Sequence, residues 1–390
     1  MNIPARILVT GALACLMVAA SACRRTGGPG PQGFAYVSNG KSNSLSVIDL
    51  NSSRVVNTIA VGRNPTGVTI NRVRQEIYVV NTDSDNISVI ETAAGKRGGE
   101  MANPLAQNWT VAATIGVHDS PYFLDVSPDG KRGYTANSAS ANVSVIDLEH
   151  RKVLANVRVG SRPGLARVSP DGTTVVVSNR ADNTISLLDT ASLKVRSTLP
   201  VCQQPEDVVI LPDSSKAFVA CTGSAQVAAV DLKRAELLAL LDVGKTPVNL
   251  ALKPDGGEIF VSNFDSGTVS VIETNANEVS GSYLIGTKPV RGLVSSDNSL
   301  LYVSNFGSGT IAIFSIDTGK MLGSVPAGRE PESMALTDND DYLVVANTGS
   351  GDVSIMRTTA KAASYKNASD RALVSMIPVG IRPNAIAIQP

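Results

Sequence analysis

The sequence predicts an all-β chain, a single β-propeller closing as eight four-stranded blades, with seven blades as the alternative count. Three observations predict it: short β-rich segments recur at a near-constant period, turn residues punctuate each of them, and the two ends carry complementary fragments of one repeat. The composition agrees, because 33 Gly and 20 Pro in 390 residues, with only 17% charged and 4% aromatic, favour many short strands over long helices. Lys+Arg and Asp+Glu are balanced at 34 each, so the chain offers no global field for nucleic acid, and no nucleic-acid partner is expected. With two His, four Cys and no CxxC pair, neither a structural zinc site nor an attached haem is indicated, and no cofactor or metal is predicted.

Residues 1–22 read as a signal peptide: a basic Arg6, an apolar run from Ile7, then Ala20-Ser21-Ala22 before Cys23. The run is too short to be read as a spanning helix. Cys23 resembles a lipoprotein cleavage and lipidation site, although Ala20 stands where Leu is usual, so plain secretion is the alternative. Residues 23–33, rich in Gly and Pro, read as a flexible tether, and the folded body is placed at residues 34–390. The expected location is therefore the periplasm or the outer membrane and cell surface, with a membrane partner through the lipid anchor and a monomeric body.

The repeat is the strongest signal in the chain. YVSN ends at Asn39, YVVN at Asn81, YTAN at Asn137, VVSN at Asn179, FVAC at Cys221, FVSN at Asn263, YVSN at Asn305 and VVAN at Asn347, with spacings of 42, 56, 42, 42, 42, 42 and 42. Each copy continues into an alternating segment such as SLSVIDL, then a third run, then a Pro that opens a fourth: Pro65, Pro121, Pro163, Pro205, Pro247, Pro289, Pro331 and Pro383. Four short strands with turns between them make a propeller blade. The first copy lacks its Pro-initiated strand and the C-terminus, from Pro383, supplies one, so the two partial blades complete each other. Closure of this kind hides a strand edge that would otherwise be open.

These residues, Y-V-x-N, S-V-I-D, V-G-x-x-P and S-P-D-G, resemble the YVTN β-propeller repeat of bacterial periplasmic and cell-surface proteins, including the YncE-like group. The resemblance spans essentially the whole body and implies a fold, not a reaction. Gly-His and Trp-Asp signatures are absent and Trp109 is the only tryptophan, which disfavours a WD40 reading.

Scaffold needs explain the repeated residues. The Asn closing the second strand is expected to satisfy backbone groups of the following turn. Gly62, Gly116, Gly160, Gly244, Gly286, Gly328 and Gly380, ahead of the prolines, indicate positive φ or close backbone approach. Asp129, Asp171 and Asp255 of SPDG make the tight turn between first and second strands, with calcium binding as a weaker alternative.

Function belongs where copies differ. The loops entering the inner strands gather at one channel mouth and carry Arg63, His118, Arg162, Lys245, Lys288, Arg329 and Arg382; the strand entries add Tyr122, Phe123, Glu206, Asp207, Asn249, Arg291, Glu332 and Asn384. Such charges in a concave mouth can attract a small anionic ligand, against the alternative that they are ordinary solvated loop residues. His118 lies beside Asp119, in a loop read as two residues longer than its equivalents, where it is a candidate base or haem ligand; an exposed loop His is the plainer reading, as it is for His150.

The leading functional expectation is a non-enzymatic scaffold that binds a ligand or an unknown protein partner at this mouth. A lactonase-like hydrolase or lyase is the first alternative, with Glu206, Asp207, Asn249 and Glu332 converging on a metal. A haem- or quinone-cofactor propeller using His118 is the second. The opposite face carries two long turns, 96–110 and 359–372, whose Trp109 and Tyr365 are expected to frame a patch around the tether. Finally, Cys202 and Cys221 replace the Gly and Asn of the repeat within one blade, and after export they are expected to form a disulfide.

Overall fold

In the computed structural model, residues 30–92, 109–358 and 373–389 are described; the signal peptide, Cys23, most of the tether, Tyr365 and nearly all of both long turns lie outside them. The described residues form thirty-two strands in eight four-stranded antiparallel sheets. The innermost strands are Pro383–Gln389 in blade 1, then Pro65–Asn71, Pro121–Val126, Pro163–Val168, Pro205–Ile210, Pro247–Leu252, Pro289–Val294 and Pro331–Leu336 in blades 2 to 8. Each inner strand packs beside the next, and that of blade 8 beside that of blade 1, so the ring is closed. Blade 1 is shared by the two ends of the body: Phe34–Asn39, Ser44–Asp49 and Arg54–Ala60 come from its start, and Pro383–Gln389 pairs onto Phe34–Asn39 with Val37 opposite Ile386 and Tyr36 opposite Ala387.

Second and third strands are buried on both faces, so even the polar positions of the alternating third strands, such as Ser44 and Ser46, are enclosed. Successive side chains point to opposite sides, so one strand serves two interfaces. Tyr36 joins Val47, Val79 and Ile90 between blades 1 and 2, while its neighbours Ala35 and Val37 join Val344, Ile355 and Ile377 between blades 8 and 1. Eight such clusters, one per blade interface, replace a single central core. Outer strands alternate with solvent, as in Lys194–Pro200.

The SPDG aspartates do make the turn between first and second strands. Asp129 Oδ1 accepts from Ser127 Oγ (2.6 Å) and Lys131 N (3.0 Å), and Asp255 Oδ1 accepts from Gly257 N (2.8 Å). Blade 1 has no such turn, since its two inner strands belong to opposite chain ends; Arg72 of blade 2 and Asp338 of blade 8 reach across it in a two-pronged pair, 2.8 and 3.0 Å. This bridge is exposed and adds at most about 1 kcal/mol.

Trp109 corrects the expectation of a surface patch. The side chain is 4% exposed, stands edge-on to Phe34 at 5.1 Å between ring centroids, and belongs to the core between blades 1 and 2; Asn57 Nδ2 donates to its carbonyl (3.1 Å). The strand order does carry the ends of the first long turn, Thr92 and Trp109, to the face opposite Arg63, because the third strand of blade 2 runs away from the mouth.

On that far face Glu76, 3% exposed, accepts from Tyr78 Oη, Arg74 Nε (3.0 Å) and Arg151 Nη2 (2.8 Å). Burial pushes its carboxyl upward, but the hydrogen bonds from Tyr78, Arg151 and Arg74 outweigh it and hold the acid below the usual glutamate range. A carboxyl whose folded value is depressed stabilises above its unfolded value, and that stabilisation is lost as pH falls through the folded one. Glu76→Gln is therefore expected to cost about 1–3 kcal/mol at neutral pH, measured by denaturant unfolding, with the cost shrinking as pH drops below the ordinary glutamate range. A pH-independent cost would contradict this account.

Candidate functional site at the channel mouth

One backbone arrangement repeats in all eight blades. A four-residue loop brings the chain from the outer strand to the inner one, and the residue before each inner-strand Pro is left-handed: Asn64, Ser120, Arg162, Gln204, Thr246, Lys288, Glu330 and Arg382, with φ between 49 and 60°. The carbonyl of each accepts from the N–H that follows the second strand, as with Arg382 O from Gly40 N (2.9 Å) and Glu330 O from Thr348 N (3.0 Å). The loop is thus fixed whatever its side chains are.

Within it, the glycine is explained by close approach. A Cβ at Gly62 would lie 2.6 Å from Asn81, and one at Gly160 2.6 Å from Asn179. The Asn itself does more than cap a turn, correcting the expectation: Asn81 Nδ2 reaches Asn86 Oδ1 and Ser88 Oγ (both 2.9 Å) on the third strand, and Asn179 repeats this with Thr184 and Ser186 (both 3.0 Å). In blade 5 the touching pair is Cys202 and Cys221, joined as a disulfide with Cα atoms 5.6 Å apart and both side chains buried. Ala228 there replaces the Ser that the Asn would have used.

His118 also needs correcting. Its loop, residues 117–120, has the same four residues as the others, and His118, not Gly116, occupies the position of Gly62 and Gly160. Its Nδ1 lies 2.9 Å from Asn142 Nδ2, so its ring is held by the third strand of blade 3.

The inner-strand candidates divide into two groups. Asp207 and Asn249, each 6% exposed, link neighbouring blades: Asp207 Oδ2 accepts from Asn249 Nδ2 (2.8 Å) and Leu250 N (2.9 Å), and Asn249 Oδ1 accepts from Gly292 N (2.8 Å). Asp125 does likewise with Val168 N (2.9 Å), and Asn384 links to Ser38 and to the Pro65 carbonyl. These are ring-closing bonds. The other group faces the mouth: Glu206 is ion-paired to Arg180, whose guanidinium sits 5.6 Å from the Tyr122 ring centroid, and Glu332 Oε2 accepts from Thr348 Oγ1 (2.6 Å). Arg167 lies 4.8 Å from the Phe123 ring centroid, deeper in the strand. Burial raises the Glu206 carboxyl, with Arg180 opposing it, and burial likewise raises the Tyr122 phenol. Glu206, Asp207, Asn249 and Glu332 therefore do not converge, and among the described residues no group of three His, Cys, Asp or Glu is placed to hold a metal ion.

Arg63, Arg162, Arg329 and Arg382 stay on the rim, exposed, and Arg291 is exposed at its strand entry. Among the described residues Arg180 pairs with a carboxylate while these five do not. Among the described residues, a polar and a partly apolar cavity open at the mouth. The polar one, of about 460 Å³, lies over blades 4 and 5, between Arg162, Arg180, Gln204 and Glu206. The larger one, about 630 Å³, spans blades 6 to 1 and has an apolar floor of Val248, Val290, Phe264 and Phe306. The two phenylalanine rings are 6.3 Å apart, and Lys288 Nζ is 5.3 Å from the Phe264 centroid. Phe264, Phe306, Arg180 and Lys41 were not legible as site residues from the loops alone. For the first three the signal was present one position past the repeated Asn, where the copies read Gly40, Thr82, Ser138, Arg180, Thr222, Phe264, Phe306 and Thr348, and Lys41 lies one position further on.

Comparison with known proteins fits the ring. A family model described as lactonase, 7-bladed β-propeller, matches residues 293–376. No curated protein matches the chain. Among solved structures, dihydro-heme d1 dehydrogenase NirN in complex with DHE superposes with a TM-score of 0.73 at 13% identity, covering 93% of this chain and 76% of that one. Kuenenia stuttgartiensis hydrazine synthase gives 0.59 at 19% identity, with 76% and 96% covered. A putative 6-phosphogluconolactonase from Bacteroides fragilis gives 0.58 at 14%, with 92% and 98% covered. At these identities the likeness is one of fold, and the family match, over part of two blades, contrasts with the eight blades seen here.

Proposed function

We propose that the chain is an exported, membrane-tethered propeller of the YVTN type that binds a small ligand or a protein segment at its channel mouth without transforming it. One observation carries this reading: the mouth backbone is the same in every blade, while the side chains mounted on it differ and include several cations with no carboxylate partner among the described residues. Charges left unpaired in a concave, partly apolar mouth favour a complementary ligand. Of the acids that a metal-dependent hydrolase would use, Asp207 is instead spent on bonds to the next blade and Glu206 on its ion pair with Arg180.

Replacing Arg162 and Arg382 together with Ala is expected to weaken retention of a bound species, followed by native mass spectrometry of protein purified from its own host, and to flatten the salt dependence of that retention. Exposed loop changes usually cost less than about 0.5 kcal/mol, so the fold should survive. Unchanged retention returns these residues to the role of solvated loop cations.

A lactone-hydrolysing reading is favoured by the family match at residues 293–376. Turnover of a δ-lactone series by the purified protein, abolished by a chelator, would replace the binding reading with it.

A further inference from the structure

We propose that the larger cavity, over blades 6 to 1, is a site for a zwitterion with an apolar side chain, of the amino-acid or short-peptide class. The inference rests on the binding reading above and names its ligand.

The floor of the cavity is apolar and its walls are charged with both signs. Phe264, Phe306, Val248 and Val290 form the floor; Lys41 and Arg382 stand on the blade 1 side, and Glu330 and Glu332 on the blade 8 side. Opposite charges sharing one cleft ordinarily find each other, yet among the described residues no ion pair joins these acids to these bases. They are held apart by the loops that carry them. Gly40 N and Lys41 N donate to Arg382 O and Ile381 O (2.9 and 3.1 Å), which binds the two cationic segments together. Thr348 N donates to Glu330 O (3.0 Å) and Thr348 Oγ1 to Glu332 Oε2 (2.6 Å), which does the same for the acidic wall. Glu330 and Arg382 both occupy the left-handed position before a Pro, so neither backbone can swing to close the gap.

A ligand with a carboxylate at one end, an ammonium at the other and an apolar side chain between them satisfies both walls and covers the phenylalanine rings. A simple anion would leave Glu330 and Glu332 facing it, and a simple cation would face Arg382 and Lys41. At about 630 Å³ the cavity lies in the range of small-molecule sites and exceeds the needs of a single small amino acid, which points to a dipeptide-sized occupant.

The test is calorimetric titration of the intact folded protein with L-leucyl-L-leucine, its N-acetyl form and its C-terminal amide. The free dipeptide is expected to bind at least about tenfold more tightly than either capped form, as loss of one charge-assisted hydrogen bond implies. Arg382→Ala should weaken the free dipeptide by about tenfold and leave the amide unaffected, while Glu330→Gln should weaken it similarly and leave the N-acetyl form unaffected. Equal binding of the free and capped forms, or no heat from any of them at millimolar concentration, overturns the zwitterion site. Retention of some other species at the mouth in the mass-spectrometric experiment would then leave the broader binding reading standing, so the two can fail separately.

Discussion

Removing residues 383–390 is expected to lower the melting temperature by about 10 °C or more and to produce a species that binds hydrophobic dyes and associates, because the loss falls on two blade interfaces at once. The strand Pro383–Gln389 supplies Ile386 and Ile388 to the cluster between blades 8 and 1, where both are less than a tenth exposed, and Ala385 and Ala387 pack against the cluster between blades 1 and 2. It also covers the edge of Phe34–Asn39, whose backbone would otherwise invite pairing with another chain. A milder change separates packing from pairing: Ile386→Ala keeps the strand and should cost about 2–4 kcal/mol by denaturant unfolding. A truncated protein with unaltered melting and no dye binding would show that the ring does not depend on this closure.

Reducing the Cys202–Cys221 bond, or replacing both residues with Ala, is expected to cost up to about 3 kcal/mol, the chain-entropy figure for a loop of this size. The more informative variant restores the other blades' solution. Cys202→Gly with Cys221→Asn and Ala228→Ser rebuilds the touching Gly and Asn and returns the Ser acceptor, and should recover at least half of that loss. If the triple variant is no more stable than the Ala pair, the Gly–Asn contact is not what the disulfide replaces. Thiol counting on unfolded, unreduced protein supplies an independent check, with no free thiol expected from this pair.

The fold was legible because a blade cannot bury its two faces alone, so the same strand pattern had to recur and the turn residues had to recur with it. The split of blade 1 between the chain ends followed from the missing Pro-initiated strand at the start and the unmatched one at Pro383. The disulfide was legible for a related reason, since two departures from the repeat fell in one blade and at adjoining positions. The site was only partly legible. Linear order ranks Asp207 and Asn249 as mouth residues because each follows an inner-strand Pro by two, but the strand irregularity there turns them toward the next blade's backbone. His118 was displaced by two residues because Gly116, which ends an outer strand, imitates the loop glycine. Trp109 reads as a surface aromatic only while its partner Phe34, some seventy-five residues earlier and at the first strand of the body, is out of view.

The left-handed residue ahead of each Pro has one more consequence, for how such a protein diversifies. Its conformation, and the hydrogen bond its carbonyl accepts, hold for side chains as unlike as Asn64, Glu330 and Arg382, so what is mounted there is uncoupled from the ring that carries it. The residues just after the Pro and just after the second strand show the same latitude, from Gly164 to Tyr122 and from Gly40 to Phe306. Together they form a variable surface on an invariant frame, comparable in logic to the binding loops of an antibody but divided into eight sectors. Exchanging the three residues of one sector rewrites one wall of the mouth without altering the ring, and where a contact joins two sectors, as Arg180 joins Glu206, the two walls change together.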